Sequence, residues 1–166
     1  MKWALVERGV FPYNPELLNF ERLVIENVSL FTQLSQIKGV QLNYEVDKTL
    51  NIHADRNAVA TIIRNLISNA LKFSSEGDEV MVRAFQENGK IQVQIIDTGV
   101  GISPNKLEHI FTLDSKKTKE GTIGEQGTGL GLMLCKELTQ LNKGDIKIES
   151  KEGKGTCVII DFPLAA

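Results

Sequence analysis

Apolar positions in the first third of the chain change from helical to strand spacing. A first amphipathic helix is predicted over residues 20–38, ending at Gly39, which suits a C-terminal cap. Its apolar residues recur every three or four positions and comprise Val24, Val28, Phe31, Leu34 and Ile37. Residues 40–46 alternate between apolar and polar side chains, which predicts a strand, and residues 51–54 can form a second short strand.

A longer helix and a β-hairpin follow. Asp55 is a plausible N-cap for a helix that runs to about residue 73. Its core-facing residues repeat every four positions and comprise Ile62, Leu66 and Ala70. Two strands are predicted over residues 79–86 and 90–96, and the Asn88-Gly89 pair between them is a strong hairpin signal.

The last third completes a mixed pattern of helices and strands. Pro104 can open a short helix that ends at Ile110. The polar segment 112–126 has no periodicity and is long for a connection, so we predict a functional lid. A third main helix and two closing strands are predicted over residues 130–141, 145–150 and 156–162. The whole pattern predicts an α+β fold, a two-layer α/β sandwich whose antiparallel-rich mixed sheet packs against three helices.

Composition narrows the class of protein. The 166 residues suit one domain with a real core, and a net charge of -2 argues against a nucleic-acid partner. No apolar run approaches the ~20 residues that span a bilayer, and no signal peptide is evident, so we expect a cytoplasmic chain. Cys135 and Cys157 lack metal-type spacing and are expected to be buried thiols. His53 and His109 are expected to be structural or exposed, without a catalytic role.

Three polar residues share one face of the second main helix. Asn65, Asn69 and Lys72 lie at positions i, i+4 and i+7, beside the apolar stripe. Carboxamide oxygens are hard, neutral ligands that can hold a magnesium ion, and a lysine one turn further can neutralise phosphate charge. The alternative is an ordinary polar face in water, although two asparagines in mid-helix need a reason.

A carboxylate and two glycines end the second strand of the hairpin. Asp97 directly follows the apolar run QVQII, and Gly99 and Gly101 come after it. Such a carboxylate can accept a hydrogen bond from the amino group of a base, and the glycines let backbone approach a flat ring. A simple Asp-x-Gly turn is the alternative.

A second glycine cluster opens the third main helix. Gly127, Gly129 and Gly131 lead into that helix, whose first amides can bind phosphate with the help of the helix dipole. A flexible hinge is the alternative. A dinucleotide-binding loop would follow a strand, which this one does not, and the sequence contains no GxxxxGK[ST] P-loop.

Two further features carry weaker signals. Lys116, Lys117 and Lys119 lie in the predicted lid and could close on phosphate oxygens, although a solvated charge run is equally compatible with them. The run GKGT at 153–156 can be a tight turn alone, but Thr156 could also bring a hydroxyl or a bound water to a base edge.

Taken together and in this order, the motifs resemble those of sensor histidine kinases. NLISNALKF at 65–73 is similar to their asparagine box. DTGVGI at 97–102, the region of Phe111, GTGLGL at 127–132 and GKGT are similar to the glycine and phenylalanine boxes that follow it. The resemblance covers residues 12–163 and implies the Bergerat ATP-binding sandwich, which gyrase B subunits, heat-shock-ninety chaperones and mismatch-repair ATPases share.

The resemblance implies ATP and Mg²⁺ as cofactors and a role for each matching residue. Asp97 would bind the adenine amino group, while Phe73 would pack on the ring and Thr156 would support it through water. Asn65 and Asn69 would share the magnesium and phosphate contacts. The implied ATP-binding set comprises Asn65, Asn69, Lys72, Phe73, Asp97, Gly99, Gly101, Phe111, Lys116, Lys117, Gly127, Thr128, Gly129, Leu130, Gly131 and Thr156.

The chain departs from the family pattern in two respects. The stretch after Phe111 is short, and Thr112 stands where many members carry a phosphate-contacting arginine. No phosphoacceptor histidine box is present in the sequence. Residues 1–9 resemble the end of the dimerisation hairpin that carries this histidine in the family. We therefore expect a linker and possible first strand over 10–19 and the catalytic domain over 20–166.

These features predict the ATP-binding catalytic domain of a two-component sensor kinase. Its expected partners are its own dimerisation and phosphoacceptor domain and a response regulator receiver domain. The fragment is expected to be monomeric and unable to autophosphorylate alone, within a homodimeric parent that could be anchored in the inner membrane. The alternatives are a catalytically degenerate nucleotide-binding module and an anti-sigma-type serine kinase. A gyrase-like hydrolase is disfavoured, because Asn65 stands where those ATPases typically carry a glutamate base.

Overall fold

The computed structural model describes residues 12–111 and 131–165. Within these ranges a five-stranded sheet has the order β2-β4-β5-β7-β6 and a separate pair joins β1 to β3. The strands are β1 Pro15–Asn19, β2 Gln41–Val46, β3 Asn51–Asp55, β4 Glu79–Glu87, β5 Lys90–Asp97, β6 Asp145–Lys151 and β7 Gly155–Pro163. The helices are α1 Phe20–Ser29, α2 Thr32–Lys38, α3 Arg56–Lys72, α4 Pro104–Leu107 and α5 Gly131–Leu141.

The described elements form the predicted two layers. Strand β2 runs parallel to β4, and the other pairs in the large sheet are antiparallel. Alternate residues of β5 are buried, so one face of the sheet packs on the helices and the other meets solvent. The core contains fully buried Leu66 and Ile67 from α3 and Ile91 and Ile95 from β5. Among the described residues, no helix combines the length and apolar character needed to cross a bilayer.

Two local predictions are confirmed. Asn88 and Gly89 both have positive φ values, 52° and 75°, which is the turn that a two-residue hairpin requires. The Asp55 side chain accepts a hydrogen bond from the Ala58 amide at 2.9 Å, so it caps α3 as expected. Both His53 and His109 are exposed.

The prediction of one helix over 20–38 is wrong. The helix is interrupted at Leu30 and Phe31, where Phe31 adopts φ -107° and ψ 1° instead of helical values. The break turns the second segment, so Leu34 and Ile37 are 42% and 76% exposed although they continue the apolar spacing. Ser35 and Lys38 face the interior instead.

Two smaller predictions also need correction. The short helix at Pro104 ends at Leu107, and turns follow it. Cys135 is buried as expected, but Cys157 is only half-buried, because it lies on the solvent face of β7. Residues 1–9 and the predicted lid over 112–126 lie outside the described residues.

Candidate functional site

A lateral row of polar side chains crosses three strands at one end of the sheet. Asp97 pairs with Thr156, and Thr156 pairs with Ser150, so the three side chains share one face. Asp97 is 9% exposed, and its Oδ1 accepts from the Gly99 amide at 2.9 Å. Burial raises the pKa of Asp97 to about 6, opposed by backbone hydrogen bonds from Gly99 and Thr156 and increased by the charge of Asp78.

The two predicted glycines after Asp97 sit where no side chain fits. A Cβ at Gly99 would collide with the carbonyl oxygen of Phe73. Gly101 has φ 71°, and a Cβ there would collide with the carbonyl oxygen of Lys151. These close approaches bring the loop after β5 against the end of α3 on one side and the β6–β7 turn on the other.

The predicted residues of α3 line the same end of the sheet. Asn65, Asn69, Lys72 and Phe73 are all half-buried. The ammonium of Lys72 lies 5.0 Å from the centroid of the Phe73 ring, within range of a cation–π interaction. A charge and an aromatic ring therefore stand together at the helix end.

The start of α5 faces Asn65. A Cβ built on Gly131 would lie 3.6 Å from the Asn65 Oδ1 atom, so the first residue of α5 and the asparagine face are neighbours. Gly131, the first described residue of α5, therefore lies beside a neutral oxygen ligand on α3. Phe111 is half-buried against the core, and the centroid of its ring lies 5.5 Å from the ammonium nitrogen of Lys136 on α5.

Part of the predicted set cannot be compared with the structure. The residues that lie outside the described ranges are Lys116, Lys117, Gly127, Thr128, Gly129 and Leu130. They remain predictions. The described members fall into two groups, a strand side around Asp97 and Thr156 and a helix side around Asn65, Asn69, Lys72 and Gly131.

Sequence reasoning missed a lysine that holds the end of α3. Lys38 is 7% exposed, and its ammonium donates to the carbonyl oxygens of Leu71 at 2.6 Å and Lys72 at 2.9 Å. The next carbonyl, of Phe73, accepts from the Val100 amide at 3.1 Å. The last carbonyls of α3 are thus capped by a cation, which suits the negative end of the helix dipole. This cap fixes the turn that carries Lys72 and Phe73.

Sequence reasoning also missed Ser150. Its hydroxyl oxygen lies 2.8 Å from the Thr156 hydroxyl, donates to the Gly155 carbonyl at 2.9 Å and accepts from the Ile102 amide at 2.8 Å. Ser150 therefore ties β6 to β7 and to the loop after Asp97. Counting back from the predicted turn would have put it opposite Thr156.

Curated relatives of the chain are sensor kinases. The chain is 38% identical over 162 residues to the histidine protein kinase DivJ of Caulobacter vibrioides, covering 96% of this chain and 26% of the relative. It is 36% identical over 159 residues to an uncharacterised sensor-like histidine kinase of Rhizobium meliloti, covering 95% and 30%. The chain thus spans less than a third of the length of these relatives.

Solved structures share the fold. The nucleotide-free catalytic domain of histidine kinase ThkA has a TM-score of 0.79 at 25% identity and covers 91% of this chain and 96% of its own. Full-length ShkA in complex with AMPPNP has a TM-score of 0.86 at 23% identity, covering 99% and 34%. Both likenesses identify the sheet and helix layers as the Bergerat sandwich.

The family model described as histidine kinase-, DNA gyrase B-, and HSP90-like ATPase matches residues 54–166. That range contains every described residue of the row at Asp97 and of the α3 face. The chain therefore belongs to this ATPase family, as a catalytic ATP-binding domain of the sensor histidine kinase type.

Proposed function

We propose that this chain binds ATP with Mg²⁺ and presents the γ-phosphate to a histidine on a separate dimerisation domain. The observation that carries the proposal is Asp97, a buried carboxylate at a strand end that accepts a hydrogen bond from the Gly99 amide, in a chain of this family. Burying a charge is costly, and binding a ligand that donates hydrogen bonds offsets that cost.

The strand side, around Asp97 and Thr156, suits adenine. At neutral pH the ionised Asp97 is an acceptor for the exocyclic amino group, and Thr156 supplies a second polar contact directly beside it. Phe73 is half-buried, and its carbonyl oxygen lies against Gly99, where backbone can approach a flat base.

The helix side suits phosphate and a divalent cation. Asn65 and Asn69 offer carboxamide oxygens one turn apart, and neutral oxygen donors fit a Mg²⁺ that keeps water and phosphate ligands. Bound there, the cation would neutralise phosphate charge. Lys72 and the first amides of α5 add positive charge and donors around the same space.

Transfer in this arrangement depends on positioning and charge neutralisation, which are the main contributions of a protein to phosphoryl transfer. The acceptor histidine and any general base for its proton would come from the parent's dimerisation domain. A response regulator receiver domain would take the phosphate next. The chain alone would bind nucleotide without transferring phosphate to itself.

Calorimetric titration with a non-hydrolysable ATP analogue, with and without Mg²⁺, tests the binding. The native chain should bind, more tightly with Mg²⁺, and Asp97→Asn should lower the affinity by at least 100-fold. Asn69→Ala should remove the Mg²⁺ dependence while leaving Mg²⁺-free binding intact. Absence of binding by the native chain, or full affinity in Asp97→Asn, would overturn the proposal.

Phosphate transfer needs a second experiment. The native chain, Mg²⁺ and radiolabelled ATP are mixed with a dimerisation hairpin taken from the parent kinase. Label should appear on the hairpin histidine only when this chain is present and should be absent with Asp97→Asn. Label on His53 or His109 of the chain itself would contradict the assigned roles.

A further inference from the structure

We propose that Ser150 fixes the Thr156 hydroxyl as a hydrogen-bond acceptor and so makes the base pocket selective for purines that carry a donor at C6. The inference rests on the proposed nucleotide function and concerns a residue outside the implied binding set. Ser150 acts here as a positioning residue, because it works through Thr156 and not on the base.

The three groups around Ser150 occupy its whole hydrogen-bonding capacity. Its oxygen lies 2.8 Å from the Ile102 amide nitrogen, 2.9 Å from the Gly155 carbonyl oxygen and 2.8 Å from the Thr156 hydroxyl oxygen. A serine hydroxyl has one hydrogen to donate and two lone pairs that accept. Three contacts therefore saturate it.

Only one assignment of hydrogens satisfies all three contacts. The Ile102 amide can only donate, and the Gly155 carbonyl can only accept, so the single hydrogen of Ser150 goes to Gly155. The remaining lone pair of Ser150 must then accept the hydrogen of Thr156. The Thr156 hydrogen points toward Ser150, and its lone pairs are left for the pocket.

This polarity matches that of the neighbouring carboxylate. Asp97 and Thr156 are paired residues on adjacent strands, and at neutral pH both present acceptors to the same space. A 6-amino purine, or a water that donates to Thr156, satisfies them. A 6-oxo purine brings a third acceptor to the same place, and acceptors that face each other without a hydrogen are penalised.

Without Ser150 the hydroxyl of Thr156 can rotate. It could then donate to a 6-oxo group or to a water beside it, which would relieve the mismatch for 6-oxo purines. Loss of the Ser150 hydroxyl should therefore change the preference between two bases and not only the overall affinity. A purely structural role would weaken both ligands alike.

The test compares ADP and inosine 5′-diphosphate, which differ at C6 and N1, by calorimetry on the native chain and its variants. Ser150→Ala should narrow the preference for ADP about tenfold, mainly through tighter binding of the inosine nucleotide. Ser150→Thr keeps the hydroxyl and should restore the native preference. In a Thr156→Val background, Ser150→Ala should leave the preference unchanged.

The outcomes separate the two proposals. Equal weakening of both nucleotides by Ser150→Ala, with the ratio unchanged, overturns the role of Ser150 while nucleotide binding stands. Failure of the native chain to bind ADP overturns the proposed function and this inference with it. If circular dichroism shows that Ser150→Ala is unfolded, the nearly isosteric Ser150→Cys replaces it. The same narrowing of the preference for ADP over inosine 5′-diphosphate is expected.

Discussion

Replacing Asp97 with asparagine should stabilise the folded chain while it removes nucleotide binding. The native carboxylate is buried, and burial raises its pKa from the ordinary 3.8 to about 6. At neutral pH the carboxylate is ionised, but burial makes its charge more costly in the folded chain than in the unfolded chain. Asparagine removes that charge and keeps an oxygen that can accept from the Gly99 amide.

The pKa sets the magnitude and the pH window. A carboxyl with a raised folded pKa binds its proton more tightly when folded, so its contribution to stability is lost as pH rises from about 4 to about 6. The full difference corresponds to roughly 3 kcal/mol of unfolding free energy above that window. We expect a gain of about 1–3 kcal/mol for Asp97→Asn at pH 8, because the amide replaces only one of the two acceptor oxygens.

Urea denaturation of both proteins at pH 4, 5, 7 and 8 measures this difference. The stability advantage of Asp97→Asn should be small at pH 4 and reach its plateau above pH 6. Asp47→Asn serves as a control of opposite sign, because hydrogen bonds from Thr49 lower the pKa of that exposed carboxylate. A variant less stable than the native chain at pH 8, or an advantage independent of pH, would refute the reasoning about Asp97.

Three further predictions concern the residues around the site. ATP-analogue affinity should fall about tenfold per pH unit below pH 6, because protonation of Asp97 removes its charge and turns one of its two acceptor oxygens into a donor. Calorimetry over pH 4.5–8 measures this fall. Lys38→Met should cost about 2–3 kcal/mol of unfolding free energy, since it leaves a buried and a partly buried carbonyl uncapped. It should also lower amide-exchange protection at the end of α3, whereas Lys48→Met at an exposed position should change neither. Gly99→Ala should cost at least about 3 kcal/mol in urea titration because its Cβ meets backbone, whereas Gly153→Ala, where φ is 79° but the space is open, should cost about 1 kcal/mol.

Each of these has a result that contradicts it. Affinity that is flat across pH 6 would mean that Asp97 does not receive the base. Unchanged exchange at the end of α3 in Lys38→Met would remove the lysine from its capping role. Equal costs for the two glycine variants would mean that the strand-end loop can move away from α3.

The positions of candidate site residues were predicted correctly where they follow from a single helix or strand. Asn65, Asn69 and Lys72 share a face because helical spacing requires it, and Asp97 lies at a strand end because the apolar run before it stops there. Gly99 and Gly101 were predicted to let backbone approach a flat ring, and that stays a prediction; each lies against protein backbone that a side chain would meet. These signals are local, so one sequence contains them.

Features that depend on tertiary contacts were not predicted from the sequence. Spacing continues through Phe31, so periodicity could not reveal that α2 turns and leaves Ile37 exposed. Lys38 caps the carbonyls of Leu71 and Lys72, which follow it by 33 and 34 positions in the chain, and only packing brings these groups together. The order of the strands, with β2 parallel to β4, depends on how α3 crosses the sheet and was likewise not predicted.

Strand β6 forms one border of the five-stranded sheet, and its composition has a consequence for handling the isolated domain. Unpaired backbone groups along a border strand invite another chain to add a strand, which leads to aggregation. Here the solvent-facing positions alternate in charge and are all exposed: Asp145, Lys147, Glu149 and Lys151. A second copy that adds in antiparallel register about Ile148 would place Asp145 opposite Lys151 and Lys147 opposite Glu149, and such opposite-charge pairs are attractive. The charges on this border therefore favour pairing with another copy, so the isolated domain is best handled dilute and in salt that screens them.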